Sequence, residues 1–326
     1  MIALEVPIAK AHEKSLKDSS EMKPKATIVT INFKSALSTL DFLDSLSHTK
    51  AFSEIAVVIA DNSSEEEDLS TIKRTITQMP NVELLESSTN RGYFGAAKFA
   101  LEHYLEKVNA LPDWVIVCNH DVLIEDPDFF SKLFSQDAMA AGVIAPRIQV
   151  LPSRADQNPF MRRCPSRFSW RVFRFAKSFY GVAVVWDWMS RLKKALKAFP
   201  WVPGRDPSET QILPSEPIYA AHGSFFIFSR SYFERGGYLD ENLFLYGEEI
   251  SVAEICRSLD LPIIYEPSLR VLHNEHQSTG RFISRVSYER EKRALRYVTS
   301  RYLRSSEGSA SSCEDELPDE EVIRHA

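Results

Sequence analysis

The chain has 326 residues, 44% of them apolar, and a net charge of −6. That length and composition suit a globular protein with a large core. The acidic balance argues against wholesale nucleic-acid binding, and no apolar run reaches the roughly 18 residues that a membrane span needs. The cysteines at 118, 164, 256 and 313 show no CxxC pairing, which favours free thiols in a reducing compartment over a disulfide framework. The N-terminus lacks a signal peptide's basic start and apolar core, so the expected location is cytoplasmic.

Residues 1–25 are polar and read as a mobile arm. Four β-rich runs follow: "ATIVTINF" (26–33), "IAVVIA" (55–60), "VELLE" (82–86) and "WVIVC" (114–118). Helical patterns fall between them at about 36–47 and about 66–78. A third carries Phe94, Ala97, Leu101, Tyr104, Leu105 and Val108 on one face. Short apolar strands separated by helices predict an α/β fold, a mostly parallel sheet flanked by helices.

Residues 153–217 are rich in Pro and Arg and show no clear strand. "GSFFIFSR" (223–230) reads as a strand, followed by a short helix, a Gly-Gly turn and an acidic loop. A helix at about 248–259 and a strand at 262–266 come next, and "LRVLHNEHQSTG" closes the globular part. The tail, 304–326, is Ser-rich and then acidic, the composition of a disordered segment.

In parallel sheets, ligands bind beyond the carboxyl ends of the strands. There the sequence places Asn32, then Asp61-Asn62, then Asn90-Arg91-Gly92, then Asn119-His120-Asp121. Asn, Asp and Gly also make turns; polar groups at all four ends favour a shared ligand edge. Asp121 and His120 suit a divalent cation, magnesium or manganese, but adjacent residues alone cannot fill its coordination shell. Glu248 and Glu249 open a helix, as caps or as a general base. His273 and His276 form an HxxH that is no zinc signature, although one of them could complete a site begun by Asp121. The glycines of "NRGYFGAAKFAL" could bring backbone N–H groups to a bound group, yet lack both the Walker ending and the GxGxxG spacing.

Residues 160–200 hold ten Arg or Lys against one acid, Asp187, with aromatics interleaved. That pattern fits a segment lying on an anionic membrane surface, a basic helix packed on its own domain, or an oligomer interface.

In this order the motifs resemble a family 2 inverting glycosyltransferase with the GT-A fold, a Rossmann-like sheet, and the bacterial rhamnosyltransferase-like branch of it. The resemblance covers about residues 25–300 and rests on "TINFKS", "IADNSSEE", "NRGYFGAAKFAL", "VCNHDVLI" and the long run "AAHGSFFIFSRSYFERGGYLDENLFLYGEEISVAEICRSLD". It implies a nucleotide-sugar-binding half (26–150), a basic and aromatic segment in contact with membrane or acceptor (151–217) and an acceptor-side catalytic half (218–303). The donor would be a nucleoside-diphosphate sugar and the acceptor a glycan or lipid-linked hydroxyl. Carried over by position, Thr30, Asn32 and Asp61 would contact base and ribose. Asn90, Arg91 and Gly92 would line the nucleotide-sugar pocket, with His120 on the same ligand. Asp121 would hold Mg2+ or Mn2+ on the diphosphate with help from His273. Glu249 takes the place of the base, with Glu248 beside it, and His222 and Gly223 would lie near donor sugar and acceptor.

The chain departs from the pattern at three points. Asn119 stands where the family's Asp-x-Asp begins, Glu248-Glu249 replaces Glu-Asp, and Lys98 replaces a usual asparagine. These keep open an inactive binding or assembly protein. A sugar nucleotidyltransferase would show a Gly-rich basic motif after the first strand, which "TINFKSALSTL" lacks.

Overall fold

A computed structural model describes residues 23–62, 64–182, 213–274 and 285–303. Residues 1–22 of the expected mobile arm, residues 183–200 of the basic segment, His276 and the acidic tail lie outside the described residues.

The first half follows the alternation in the sequence. Strands β1 (Ala26–Asn32), β2 (Ile55–Asn62), β3 (Val82–Ser87) and β4 (Trp114–Asn119) are connected through helices α1 (Ala36–Ser47), α2 (Glu66–Ile76) and α3 (Tyr93–Val108). They pair in parallel in the spatial order β3-β2-β1-β4. Their side chains alternate between two cores. Val29, Ile31, Val58 and Val117 face the α3 side, whereas Ile28, Val57, Ile59 and Ile116 face the α1 side. Burial on both faces explains why these strands read as continuous apolar runs.

The second half turns the sheet antiparallel. After the short strand β5 (Val122–Leu123) and helix α4 (Phe129–Phe134) comes β6 (Val143–Val150). Helix α5 (Arg167–Ala176), β7 (Glu216–Ile218), β8 (Phe225–Ser229), helices α6 (Arg230–Glu234) and α7 (Glu248–Ser258), β9 (Ile263–His273) and helix α8 (Arg285–Arg301) complete the chain. The sheet continues β4-β8-β6-β9-β5, with β7 also on β9. β8 runs antiparallel to both β4 and β6, whereas β6 and β9 are parallel. The sheet as a whole is therefore mixed, and its parallel character belongs to the first half.

Several elements depart from the sequence reading. β6 and β7 were not expected, and β7 lies within a stretch read as free of strands. β9 runs on to His273, past Glu266 and Arg270, whose charges break the apolar pattern. α8 extends the globular part beyond residue 280; its buried face is narrow, with Tyr288, Ala294, Val298 and Thr299 on an otherwise charged helix. No helix among the described residues is long and apolar enough to cross a membrane.

Candidate active site

The strand ends converge as the sequence predicts, but on the β1–β3 side the polar groups hold one another. Alternation sends Asn32 and Asp61 to the α1 face and Asn62 to the α3 face. On the first face Asn32 Nδ2 donates to Asp61 Oδ1 at 2.8 Å and to Ser64 Oγ at 3.0 Å. Thr39 Oγ1 donates to Asn32 Oδ1 at 2.9 Å, and the Ser64 N–H to Asp61 Oδ2 at 2.9 Å. Thr30 lies two residues further back and is fully enclosed between Ile59 and Cys118 of the neighbouring strands. A ligand at this edge meets Thr30 only through the residues that cover it.

On the second face Asn62 clamps the turn before α3. Its Nδ2 donates to Asn90 Oδ1 at 2.9 Å and to the Gly92 carbonyl at 3.0 Å, while its Oδ1 accepts from the Arg91 N–H at 2.6 Å. The Arg91 guanidinium lies over the Phe99 ring at 4.2 Å, and its Nε donates to Ser87 Oγ at 3.0 Å. Gly92 sits at φ +76°, and a Cβ there would fall 2.1 Å from the Phe244 carbonyl oxygen. The glycine thus admits the backbone of the loop that precedes α7, and the Tyr93 N–H donates to the same Phe244 carbonyl at 2.9 Å.

The β4–β9 side is arranged differently. β5 pairs with β9 so that Val122 faces His273, and the Asn274 N–H donates to the Asp121 carbonyl at 2.8 Å. This register brings His273 Nε2 to 3.3 Å from Asp121 Oδ1, with both side chains buried. Burial pushes the Asp121 carboxyl up, but the hydrogen bond and charge of His273, with His120, outweigh it and hold the group below its ordinary value. His273 Nδ1 lies 2.8 Å from Gln157 Oε1, an acceptor, so Nδ1 carries a proton. Nε2 then faces Asp121 either as imidazolium or with its lone pair. The second state is the usual posture of a metal-bound histidine, oriented by a carbonyl on its other nitrogen.

His120 Nδ1 donates to the Ile31 carbonyl at 2.9 Å, and its Nε2 is buried with no hydrogen-bond partner. Among the described residues no group of three or more His, Cys, Asp or Glu comes together. Asp121 and His273 supply one oxygen and one nitrogen. That set fits magnesium or manganese, which take further ligands from substrate phosphates and water. Asn119, at the end of β4, uses its backbone N–H on the Ser224 carbonyl at 2.9 Å.

The segment 222–224 carries the connection to the glutamates. The His222 ring centroid is 6.1 Å from that of His273, and the His222 N–H donates to Asn158 Oδ1 at 2.8 Å. A Cβ on Gly223 would lie 2.7 Å from Glu249 Oε1, so the glycine lets the segment approach this carboxylate without displacing it. Glu249 opens α7 and accepts from the backbone N–H groups of Gly223 and Gly247. Burial nevertheless raises its pKa. Glu248 beside it is buried, its Oε1 has no hydrogen-bond partner, and burial followed by the charge of Glu249 pushes it up to about 8. The Tyr93 hydroxyl donates to the Gly223 carbonyl at 2.9 Å. Burial raises the Tyr93 phenol, and Glu248, Glu249 and Asp121 act on it in the same direction. One neutral phenol therefore stands within electrostatic reach of the glutamates and of Asp121.

The Glycosyl transferase family 2 model matches residues 27–237. The chain belongs to this family. It is a glycosyltransferase, with hexosyl- and rhamnosyltransferases among its relatives. It is 23% identical over 276 residues to the low-salt glycan biosynthesis hexosyltransferase Agl10 of Haloferax volcanii, covering 84% of this chain and 75% of that protein. It is 26% identical over 234 residues to the N-acetylglucosaminyl-diphospho-decaprenol L-rhamnosyltransferase of Mycobacterium tuberculosis, covering 70% of this chain and 69% of that one. Two solved structures share the GT-A fold at low identity. GalNAc-T7 with UDP, GalNAc and Mn2+ superposes with a TM-score of 0.53 at 15% identity, over 87% of this chain and 48% of that chain. S. aureus TarS 1-349 with UDP gives 0.50 at 14% identity, over 88% and 72%. This chain thus spans about half of the GalNAc-T7 chain.

The sequence reading passes over Gln157, Asn158 and Tyr93 as site residues and names Asn62 only as a polar strand end. Gln157 and Asn158 lie in a stretch without a motif, and only the β6–β9 pairing brings them to His273 and His222. Asn62 and Tyr93 stood beside residues that had been singled out, and their position in the motifs was the available signal.

Proposed function

We propose that the protein moves a hexosyl or rhamnosyl group from a nucleoside-diphosphate sugar to a hydroxyl of a glycan or lipid-linked acceptor, with inversion, in bacterial cell-surface polysaccharide synthesis. The observation that carries this reading is segment 222–224. Its His222 ring stands beside His273, which pairs with Asp121, and its Gly223 lies against Glu249.

In this mechanism Glu249 takes the proton of the acceptor hydroxyl, and burial, by raising its pKa, makes it a stronger base. The acceptor oxygen attacks the anomeric carbon in line as the bond to the nucleoside diphosphate breaks, which inverts the configuration. Gly223 and Gly247 fix the carboxylate through their N–H groups, and Tyr93 holds the Gly223 carbonyl. Asp61, Asn62 and the 90–92 turn form the rigid wall on the nucleotide side. Asp121 and His273 would hold a divalent cation, which supplies charge neutralisation for the departing diphosphate.

A panel of nucleoside-diphosphate sugars, followed by thermal shift and by diphosphate release with acceptor present, tests the reading. Glu249→Gln should lower transfer by about 10²–10⁴-fold while leaving the donor-induced thermal shift intact. Full activity in that variant would move the base elsewhere. No shift with any donor or free nucleotide would sink the transferase reading.

A further inference from the structure

Helix α5 is amphipathic with its apolar side turned outward. It contains no acidic residue. Trp170 packs on the α3-side core, and Phe173 meets Trp170 edge-on at 6.1 Å. That anchored face leaves Phe168, Val172 and Phe175 outside, at 70%, 40% and 69% exposure, and Phe179 continues the row at 58%. Steps of four and three residues put Phe168, Val172 and Phe175 on one helical stripe, and the Phe179 ring, past the helix end, meets that of Phe175 edge-on at 6.1 Å. Of the twelve exposed large hydrophobic residues among those described, six lie between 168 and 182, so the patch is local rather than the scatter of an ordinary surface. Arg171 and Arg174 are exposed on the same helix and form no ion pair among the described residues.

We infer that this stripe seats the protein on a lipid bilayer surface bearing anionic headgroups. Aromatic side chains would enter the headgroup boundary, and the two arginines would meet lipid phosphates. Charge decides among occupants. A second copy docked face to face by two-fold symmetry would bring arginine rows together. The chain segment that follows, 183–200, adds four Lys or Arg against one Asp and shares the sign of the stripe. An anionic lipid surface is complementary to both.

The placement has a consequence for the acceptor side. Lys177, just past α5, pairs with Glu291 of α8 at 2.7 Å, and the Tyr288 hydroxyl donates to the Lys177 carbonyl at 3.0 Å. α8 in turn packs Val298 and Ala294 against Gly247, the residue before the glutamate pair. A bilayer under α5 is therefore connected through packed side chains to the loop that positions Glu249. The inference stands on α5 and is independent of the base assignment.

Vesicle flotation with the full chain tests it, without donor or acceptor. The parent should bind phosphatidylcholine vesicles containing phosphatidylglycerol, in a salt-sensitive manner, and not phosphatidylcholine alone. Arg171→Gln with Arg174→Gln should weaken partitioning by about 25-fold, about fivefold per arginine. Phe168→Ser with Phe175→Ser should weaken it by about tenfold or more. Both double variants should keep the parent's melting temperature and its thermal shift with nucleotide, which separates loss of docking from loss of fold or of donor binding. Absence of vesicle binding by the parent, or parental binding by both variants, overturns the inference. A parental dimer that Phe168→Ser with Phe175→Ser dissociates would assign the stripe to a protein interface and overturn it equally.

Discussion

The two sides of the sheet's carboxyl edge use polar residues in opposite ways. At β1–β3, Asn32, Asp61 and Ser64 bond to one another, and Asn62 to Asn90, at 2.8–3.0 Å, leaving a rigid wall. At β4–β9 and α7, buried groups remain under electrostatic tension. His120 Nε2 and Glu248 Oε1 lack hydrogen-bond partners, Asp121 is held low, and Glu248 and Glu249 are held high. A buried group without a partner costs about 1–3 kcal/mol, so a fold retains such groups where a ligand or a reaction uses them. The contrast is the physical ground for proposing a supporting role for the first side and a chemical one for the second.

The sharpest test of the wall is Gly92→Ala. The added Cβ meets a backbone oxygen at 2.1 Å and the residue must keep φ +76°. Loss of about 3 kcal/mol or more in urea unfolding is expected, because neither backbone can yield cheaply. Asn62→Ala is the next largest. It removes three hydrogen bonds from the 90–92 turn and should cost about 1–3 kcal/mol while weakening nucleotide binding in calorimetry. An unchanged nucleotide affinity would break the link between wall and ligand.

On the reactive side, Gln157→Leu removes the acceptor that orients His273. Mn2+ affinity, measured by titration calorimetry, should fall by about 10–100-fold with little change in melting temperature. The smallest effect is a pH dependence. Glu248 has its folded pKa raised from 4.5 to about 8, so its protonated form is favoured in the fold. Its stabilising contribution is complete below the unfolded value and is lost as pH rises through the folded one. Glu248→Gln should therefore leave the melting temperature unchanged near pH 4 and raise it by about 1–2 °C above pH 8, the shift expected for about 1 kcal/mol in a chain of 326 residues. An equal gain at both pH values would contradict the buried, uncompensated carboxylate.

Most of the nucleotide half was legible because its strands are buried on both faces, which writes them as unbroken apolar runs with polar residues at their ends. The same local logic located Asn32, Asp61, Asp121 and Glu249. It could not show the bonds among them. Asn32 and Asp61 are expected to face the nucleotide, and their side chains also bond to each other, a partnership across 29 residues that parallel pairing creates. β6 and α8 were illegible for a related reason. α8 is charged around a narrow apolar face, and β6 gains its meaning from β8 and β9, which lie far along the chain.

Taken by itself, the amino-acid sequence determined the alternating first half, the polar strand ends, the acidic opening of α7 and the basic, aromatic character of residues 160–200. These are local properties of side-chain chemistry and period. Only the tertiary structure decided that Asp121 meets His273 through the β5–β9 register and that Gln157 orients that histidine. It also set Gly223 against Glu249 and turned the apolar stripe of α5 outward. Each of those facts depends on contacts between residues distant in the chain, and the energy that selects them is the burial and pairing of whole elements.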